Sequence, residues 1–182
     1  YVNADIFEDV LVNEYFDFIW CNGVLHHTKD PNQAFNVAIK SLKKNGYVLI
    51  GLYNKFGRLR TLIRKLFYKI IGLKFLEIFD PTLKKLKISK EEKLAWIRDQ
   101  YNHPQESLHT LDEILNWFEK NKIDFVSSIP TCDFIDNNYD EIFKKRSKGN
   151  YFYRLLSQIL MIFNSLGSDG GLFIIIGKKR DD

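Results

Sequence analysis

Two adjacent imidazoles, His26 and His27, stand in a polar stretch between an apolar run and a helix start, and Tyr53 with Asn54 closes the next apolar run. These residue types move or steer protons. An unperturbed imidazole titrates near neutral pH, so a histidine here can act as a general base wherever a nucleophile must shed a proton. Consecutive residues project differently, so one of the pair faces a site. A loop-packing or helix-capping histidine is an equally good reading of each. Tyr53 and Asn54 offer a phenol and an amide that can orient a bound molecule, and Tyr101 and His103 are weaker candidates of the same sort. Cys21 and Cys132 are far apart and lack metal-type spacing, which argues against a zinc site or a disulfide framework.

The elements that must position these groups read from residues 16–54. Phe16, Phe18, Ile19 and Trp20 form one short aromatic and β-branched run, and Tyr47 to Leu52 form another; both predict buried strands. Between them lies an amphipathic helix. Asp30 suits its cap and Pro31 its first turn, while Ala34, Phe35, Ala38, Ile39 and Leu42 share one face. Lys40, Lys43 and Lys44 follow at the end where cations suit the dipole, and Asn45-Gly46 supplies the stop. Two strands joined through a helix lie parallel with a right-handed crossover. Ligands in such α/β sheets bind beyond the carboxyl ends of the strands, which singles out the loops 21–29 and 53–58.

Further on, residues 55–76 carry seven lysines and arginines and no acid. Leu59, Leu62, Ile63, Leu66, Phe67 and Ile70 repeat at helical spacing, so the segment reads as a basic amphipathic helix. Three readings stand: a solvated basic face on a helix packed against the sheet, a cap gripping an acidic substrate, and a helix docked on an anionic membrane. A helix is expected after Ser89, with Trp96 and Ile97 facing the core, and a break at His103-Pro104. Thr110 caps a helix over 111–121 with Leu111, Ile114, Leu115 and Phe118 as its buried stripe, and Ile123 to Ile129 follows as a strand. After an acidic loop to 140 and a basic stretch from Phe143 to Gly149, a helix over 151–166 is apolar on more than one side. It reads as buried, dimer-forming or facing a lipid-like ligand. Leu172 to Ile176 reads as a buried strand.

Several of these segments carry a family resemblance. The strand opening Phe16-Asp17-Phe18, then N-G-V-L-H-H-x-x-D-P, a helix ending in L-K-x-x-G and a strand ending in G-L-Y-N resemble the fourth and fifth strands of class I S-adenosylmethionine-dependent methyltransferases. Asn3-Ala4-Asp5-Ile6 is similar to the end of the third strand, and Asp99 to Pro104, 111–130 and Gly171 to Lys179 are similar to the late part of a bacterial group. The resemblance implies an incomplete Rossmann-like α/β sheet, with strands equivalent to the fourth to seventh and a helical insert or cap over 55–110 within a single partial domain. It implies S-adenosylmethionine as cofactor and methyl transfer to a small-molecule acceptor, large or hydrophobic if the aromatic insert lines its site. It places Asp5 at the adenine amino group, Ile6 with Phe7 at the apolar wall of that pocket, and Asn22 and Gly23 beneath the methionine part. It leaves His26, His27 and Tyr53 at the reacting end. Some ubiquinone-pathway members hold a metal through carboxylates where Gly23 and His26 stand here, so no metal is expected. The family's glycine-rich loop and ribose-binding acid have no counterpart in 1–182. The chain therefore reads as the C-terminal portion of a longer enzyme, inactive alone, with a short natural protein as the alternative.

The composition sets outer limits. At 182 residues with 45% hydrophobic content the chain can bury one core. A net charge of +4 is too mild to make duplex nucleic acid the expected partner. Nothing approaches the roughly 18 apolar residues a spanning helix needs, and the sparse cysteines suit a reducing, cytoplasmic setting. The rival to an enzyme is a noncatalytic α/β module that attaches to a membrane or partner through its basic helix. A nucleotide-dependent dehydrogenase is a distant third. Oligomeric state is not legible.

Overall fold

A continuous apolar run over residues 47–53, buried on both faces, builds the strand on which the rest of the molecule hangs. The computed structural model describes residues 2–80, 83, 89–132, 141–163 and 170–181. Four strands, β1 (Phe16–Asn22), β2 (Leu42–Tyr53), β3 (Ile123–Ile129) and β4 (Leu172–Lys179), form one sheet in the order β1-β2-β4-β3. β1 runs parallel to β2, and β4 is antiparallel to both β2 and β3. The parallel pair is bridged by α1 (Pro31–Lys40), whose N-cap Asp30 accepts from the Gln33 amide at 2.9 Å.

One sheet face carries the main core. Val48, Ile50 and Leu52 of β2 and Phe173 and Ile175 of β4 meet Ala34, Phe35 and Ile39 of α1. They also meet Leu111, Ile114, Trp117 and Phe118 of α5 (Leu111–Lys120). Thr110 caps α5 by accepting from the Glu113 amide, as its sequence predicts. The opposite face holds a thinner cluster of Leu49, Val126 and Ile176.

The insert after β2 comprises α2 (Leu59–Ile71), α3 (Leu73–Phe79) and α4 (Lys90–Asn102). It has its own small core of Leu76, Leu83, Ile97 and Tyr101. Gly72, at φ +89°, separates α2 from α3 in a conformation that L side chains avoid. Ser89 and Glu92 close a reciprocal capping box at the start of α4. The last helix, α6, covers Tyr151–Leu160.

Several expectations are corrected. β1 is not buried: Phe16, Phe18 and Trp20 are 38%, 40% and 61% exposed, because among the described residues this strand pairs only with β2 and its even-numbered side chains point away from the main core. The first helix stops at Lys40 rather than at Asn45-Gly46. Leu42 already pairs with Phe16, and residues 43–46 lie in an irregularity of the β1–β2 register. Residues 3–6 form no strand, and Asp5 instead opens a turn in which it accepts from the amides of Phe7 and Glu8. The predicted single basic helix is two helices. α6 turns Ser157 and Gln158 inward and leaves Tyr151, Phe152 and Tyr153 exposed, so it is not a buried helix. The acidic loop expected to 140 and the end of the helix expected at 164–166 lie wholly or partly outside the described residues.

Candidate functional site

β1 and β2 end side by side, and the chain beyond each end folds back over the gap. After β1, Gly23 donates its amide to the Gly51 carbonyl, and Leu25–His27 close one 3-10 turn. That turn drives His26 inward, to 1% exposure, while His27 stays half-buried. Beyond β2, Asn54 makes an Asx turn by accepting from the amides of Phe56 and Gly57, and its amide group donates to Gln158. Asn54 is fully buried and holds the neighbouring chain through both its oxygen and its amide nitrogen, so its hydrogen bonds here serve the scaffold.

The rings at this end are packed into a column. His26 lies 4.2 Å from Tyr53 and 4.1 Å from His27, and His27 lies 3.8 Å from His103, all between ring centroids. The Arg58 guanidinium sits 3.8 Å over Tyr53. Arg58 is itself 1% exposed, and it is held by a forked pair with Glu106 at 2.9 and 3.1 Å and by Gln100. Gln100 in turn donates to the Tyr53 hydroxyl at 3.3 Å. A buried guanidinium is tolerable only when paired and hydrogen-bonded in this way.

Protonation follows from burial. Loss of hydration, followed by the electrostatic effect of the neighbouring His27, Arg58, His109 and His103, pushes His26 down to about 3, so its imidazole is neutral at physiological pH. The expectation of an unperturbed imidazole poised near neutrality is therefore wrong for His26. Burial likewise raises the Tyr53 phenol, which keeps its proton. His27 Nδ1 lies 3.0 Å from the Gln105 carbonyl. A carbonyl can only accept, so the proton sits on Nδ1 and leaves Nε2 as the basic atom.

Unsatisfied polar atoms mark the same place. Among the described residues, the buried side-chain nitrogens and oxygens without a hydrogen-bond partner are Asn22 Oδ1, His26 Nδ1, His26 Nε2 and Trp96 Nε1. Such atoms are rare in native folds and call for a partner. Three of the four belong to residues at the end of β1. Asn22 Oδ1 comes so close to Gly51 that a Cβ there would lie 1.7 Å from it, so the glycine in β2 makes room for this acceptor. Asp5 and Ile6 lie in a shallow hollow against Val37 and Ala38 of α1, where Asp5 is exposed. Gly23 is also exposed, with open space where a side chain would go. The structure thus brings His26, His27 and Tyr53 together, sets Asn22 and Gly23 at the end of the same strand, and keeps Asp5 on the α1 side.

Sequence reading missed Arg58, Gln100, Glu106 and His109. His109 bridges Ser107 Oγ at 2.8 Å and Glu113 at 2.9 Å and so ties the loop after α4 to α5. Arg58 was hidden in a run of bases, and Gln100 and Glu106 flank His103 without any motif of their own. Tyr101, by contrast, donates to Asp80 at 2.6 Å inside the insert and belongs to its core. Burial raises the Cys21 thiol to about 11, so it offers no ready nucleophile.

Residues 1–50 match the model of a methyltransferase domain family. PKMT2 from Rickettsia typhi in complex with AdoHcy superposes with a TM-score of 0.62 at 15% identity, over 98% of this chain and 38% of that one. A second structure of PKMT2 from Rickettsia typhi gives 0.61 at 12% identity, over 96% and 38%. A methyltransferase from Thermotoga maritima, described as a possible histamine N-methyltransferase, gives 0.47 at 16% identity over 98% and 63%. The chain thus spans less than two thirds of each of these proteins. No curated protein sequence matches it.

Proposed function

We propose that this chain, whose residues 1–50 match the model of a methyltransferase domain family and whose fold superposes on PKMT2, carries the acceptor-binding side of an S-adenosylmethionine-dependent methyl transfer. The observation that carries the reading is the trio of unpaired buried atoms on Asn22 and His26 at the carboxyl end of β1, beside Tyr53 at the end of the parallel β2. That is where ligands bind in such sheets, and a bound molecule would complete the missing hydrogen bonds.

These residues fit the cofactor in part. Asn22 Oδ1 is an unused acceptor suited to the ammonium group of its methionine portion, Gly23 leaves space for that portion to approach, and Asp5 with Ile6 offers an acceptor and an apolar wall for the adenine. S-adenosylmethionine brings a methyl group already activated on a sulfonium. Alignment of the acceptor then does much of the work, on the order of 7 to 11 kcal/mol in favourable model systems. His27 Nε2 takes the acceptor's proton where there is one to lose. His26, neutral throughout, holds the acceptor by a hydrogen bond. The Tyr53 hydroxyl, accepting from Gln100, keeps its own proton to donate. The insert 55–110 covers this end as a cap, and its apolar and aromatic residues suit a large or hydrophobic small molecule. The glycine-rich loop of the family is not in 1–182, so transfer by these residues alone is weak or nil.

Calorimetric titration of S-adenosylhomocysteine into the intact protein tests the reading. Binding that weakens on Asn22→Leu is the expected result. Absence of any binding by the intact protein would sink it.

A further inference from the structure

Helix α2 is set on the molecule the wrong way round for a core helix. Its inward residues are polar: Thr61 is 4% exposed, and Tyr68 packs against the insert core. Its apolar stripe faces solvent, with Ile63, Leu66, Phe67 and Ile70 exposed by 47%, 58%, 41% and 72%. An amphipathic helix ordinarily turns that stripe toward a core. The patch extends beyond α2. Phe67, Phe75 and Phe79 stack in series at 5.2 and 4.6 Å, which brings the exposed Ile78 and Phe79 of α3 alongside. Arg60 reaches the carbonyl of Ile162 just past α6, where Phe163 is 71% exposed. Contiguous apolar surface of this kind marks an interaction face.

Its charge identifies the occupant. At 3.6 residues per turn, Arg60 lies on one flank of the stripe and Lys65 and Lys69 on the other, and the acid-free run extends from Lys55 to Leu76. We propose that α2 and α3, with the end of α6, seat on an anionic bilayer surface, the stripe entering the acyl boundary and the flanking bases meeting headgroup phosphates. A second copy of this chain fits poorly, because a two-fold pairing of this face sets the same bases against each other. This inference stands independently of methyl transfer.

Sedimentation of the intact protein with vesicles tests it. Vesicles of equal parts phosphatidylcholine and phosphatidylglycerol are expected to carry the protein down, pure phosphatidylcholine far less, and added salt to release it. Changing Lys65, Lys69 and Lys74 to Gln is expected to cut binding about fivefold per base. Ile63→Ser with Ile70→Ser is expected to abolish it. Because Lys69, Lys74, Ile63 and Ile70 are exposed and Lys65 is only partly covered, both variants are expected to keep the parent melting temperature, which separates lost docking from lost folding. No sedimentation with anionic vesicles, or binding indifferent to both sets of changes, overturns the proposal. So does a lipid-free dimer that Ile63→Ser with Ile70→Ser converts to monomer, which would give this face to a second copy.

Discussion

Helices α5 and α2 have the same kind of sequence and opposite fates. Each carries an apolar stripe with charged flanks. α5 has a Thr110 cap, Asp112 and Glu113 in its first turn, and Leu111, Ile114, Trp117 and Phe118 buried against the sheet. α2 begins at Arg58 with no side-chain cap and no acid in its first turn, and it turns its stripe to solvent. Amphipathic spacing therefore announces an interface without saying which one. What separates the two is the polar side: α5 has a sheet face awaiting its stripe, whereas the N-terminal end of α2 is fixed by the buried guanidinium of Arg58.

That contrast can be broken by substitution. Phe118→Ala should cost about 3–5 kcal/mol by urea denaturation, as large aromatic truncations in cores do, whereas Ile70→Ser should stay within about 0.5 kcal/mol. Equal costs would mean that the stripe of α2 is covered after all. Arg58→Met should cost about 3–5 kcal/mol, because the Glu106 carboxylate, 10% exposed, loses its partner. Adding Glu106→Gln should recover part of that loss, and strict additivity of the two would deny the pairing.

A pH series sharpens the picture at the site end. His26 titrates near 3 in the fold against an ordinary 6.5. Between those values the unfolded chain binds a proton that the folded one refuses, so stability is complete above about pH 6.5 and falls as the pH drops. The contribution is up to about 1.4 kcal/mol per pH unit. His26→Gln should flatten the urea midpoint between pH 6.5 and 4.5 relative to the parent, and an unchanged slope would mean that His26 is solvated. The smallest effect belongs to the cap. Thr110→Ala should cost about 1 kcal/mol in thermal unfolding, and a null result would remove one of the two features that set α5 apart from α2.

Much of the framework was legible. Local signals sufficed where the partner lay nearby: Asp30 with Pro31, the Ser89–Glu92 box, Thr110 and the apolar run Leu172 to Ile176 all did what their chemistry suggests. Legibility failed where position depended on distant chain. Phe16, Phe18 and Trp20 form a good buried-strand pattern, but an edge strand leaves one row uncovered. The end of α1 was misread because Leu42 fits both its helical stripe and a strand register, and pairing with Phe16 decides the matter. At the candidate site, the meeting of His26, His27 and Tyr53 was legible from their place after strands, while Arg58, Gln100 and Glu106 converge from parts of the chain more than 40 residues apart. The depressed basicity of His26 is a property of burial, which no residue type encodes.

Arg58 stands at the root of α2 and at the same time against Tyr53 and the column of rings. One buried side chain is thus shared by the candidate site and by the outward-facing helix. If an occupant of either place favours a different setting of that guanidinium, thermodynamic reciprocity requires the affinities at the two places to change by the same factor. In that case surface attachment at α2 and occupancy beside Tyr53, both proposed above, become two readings of one equilibrium.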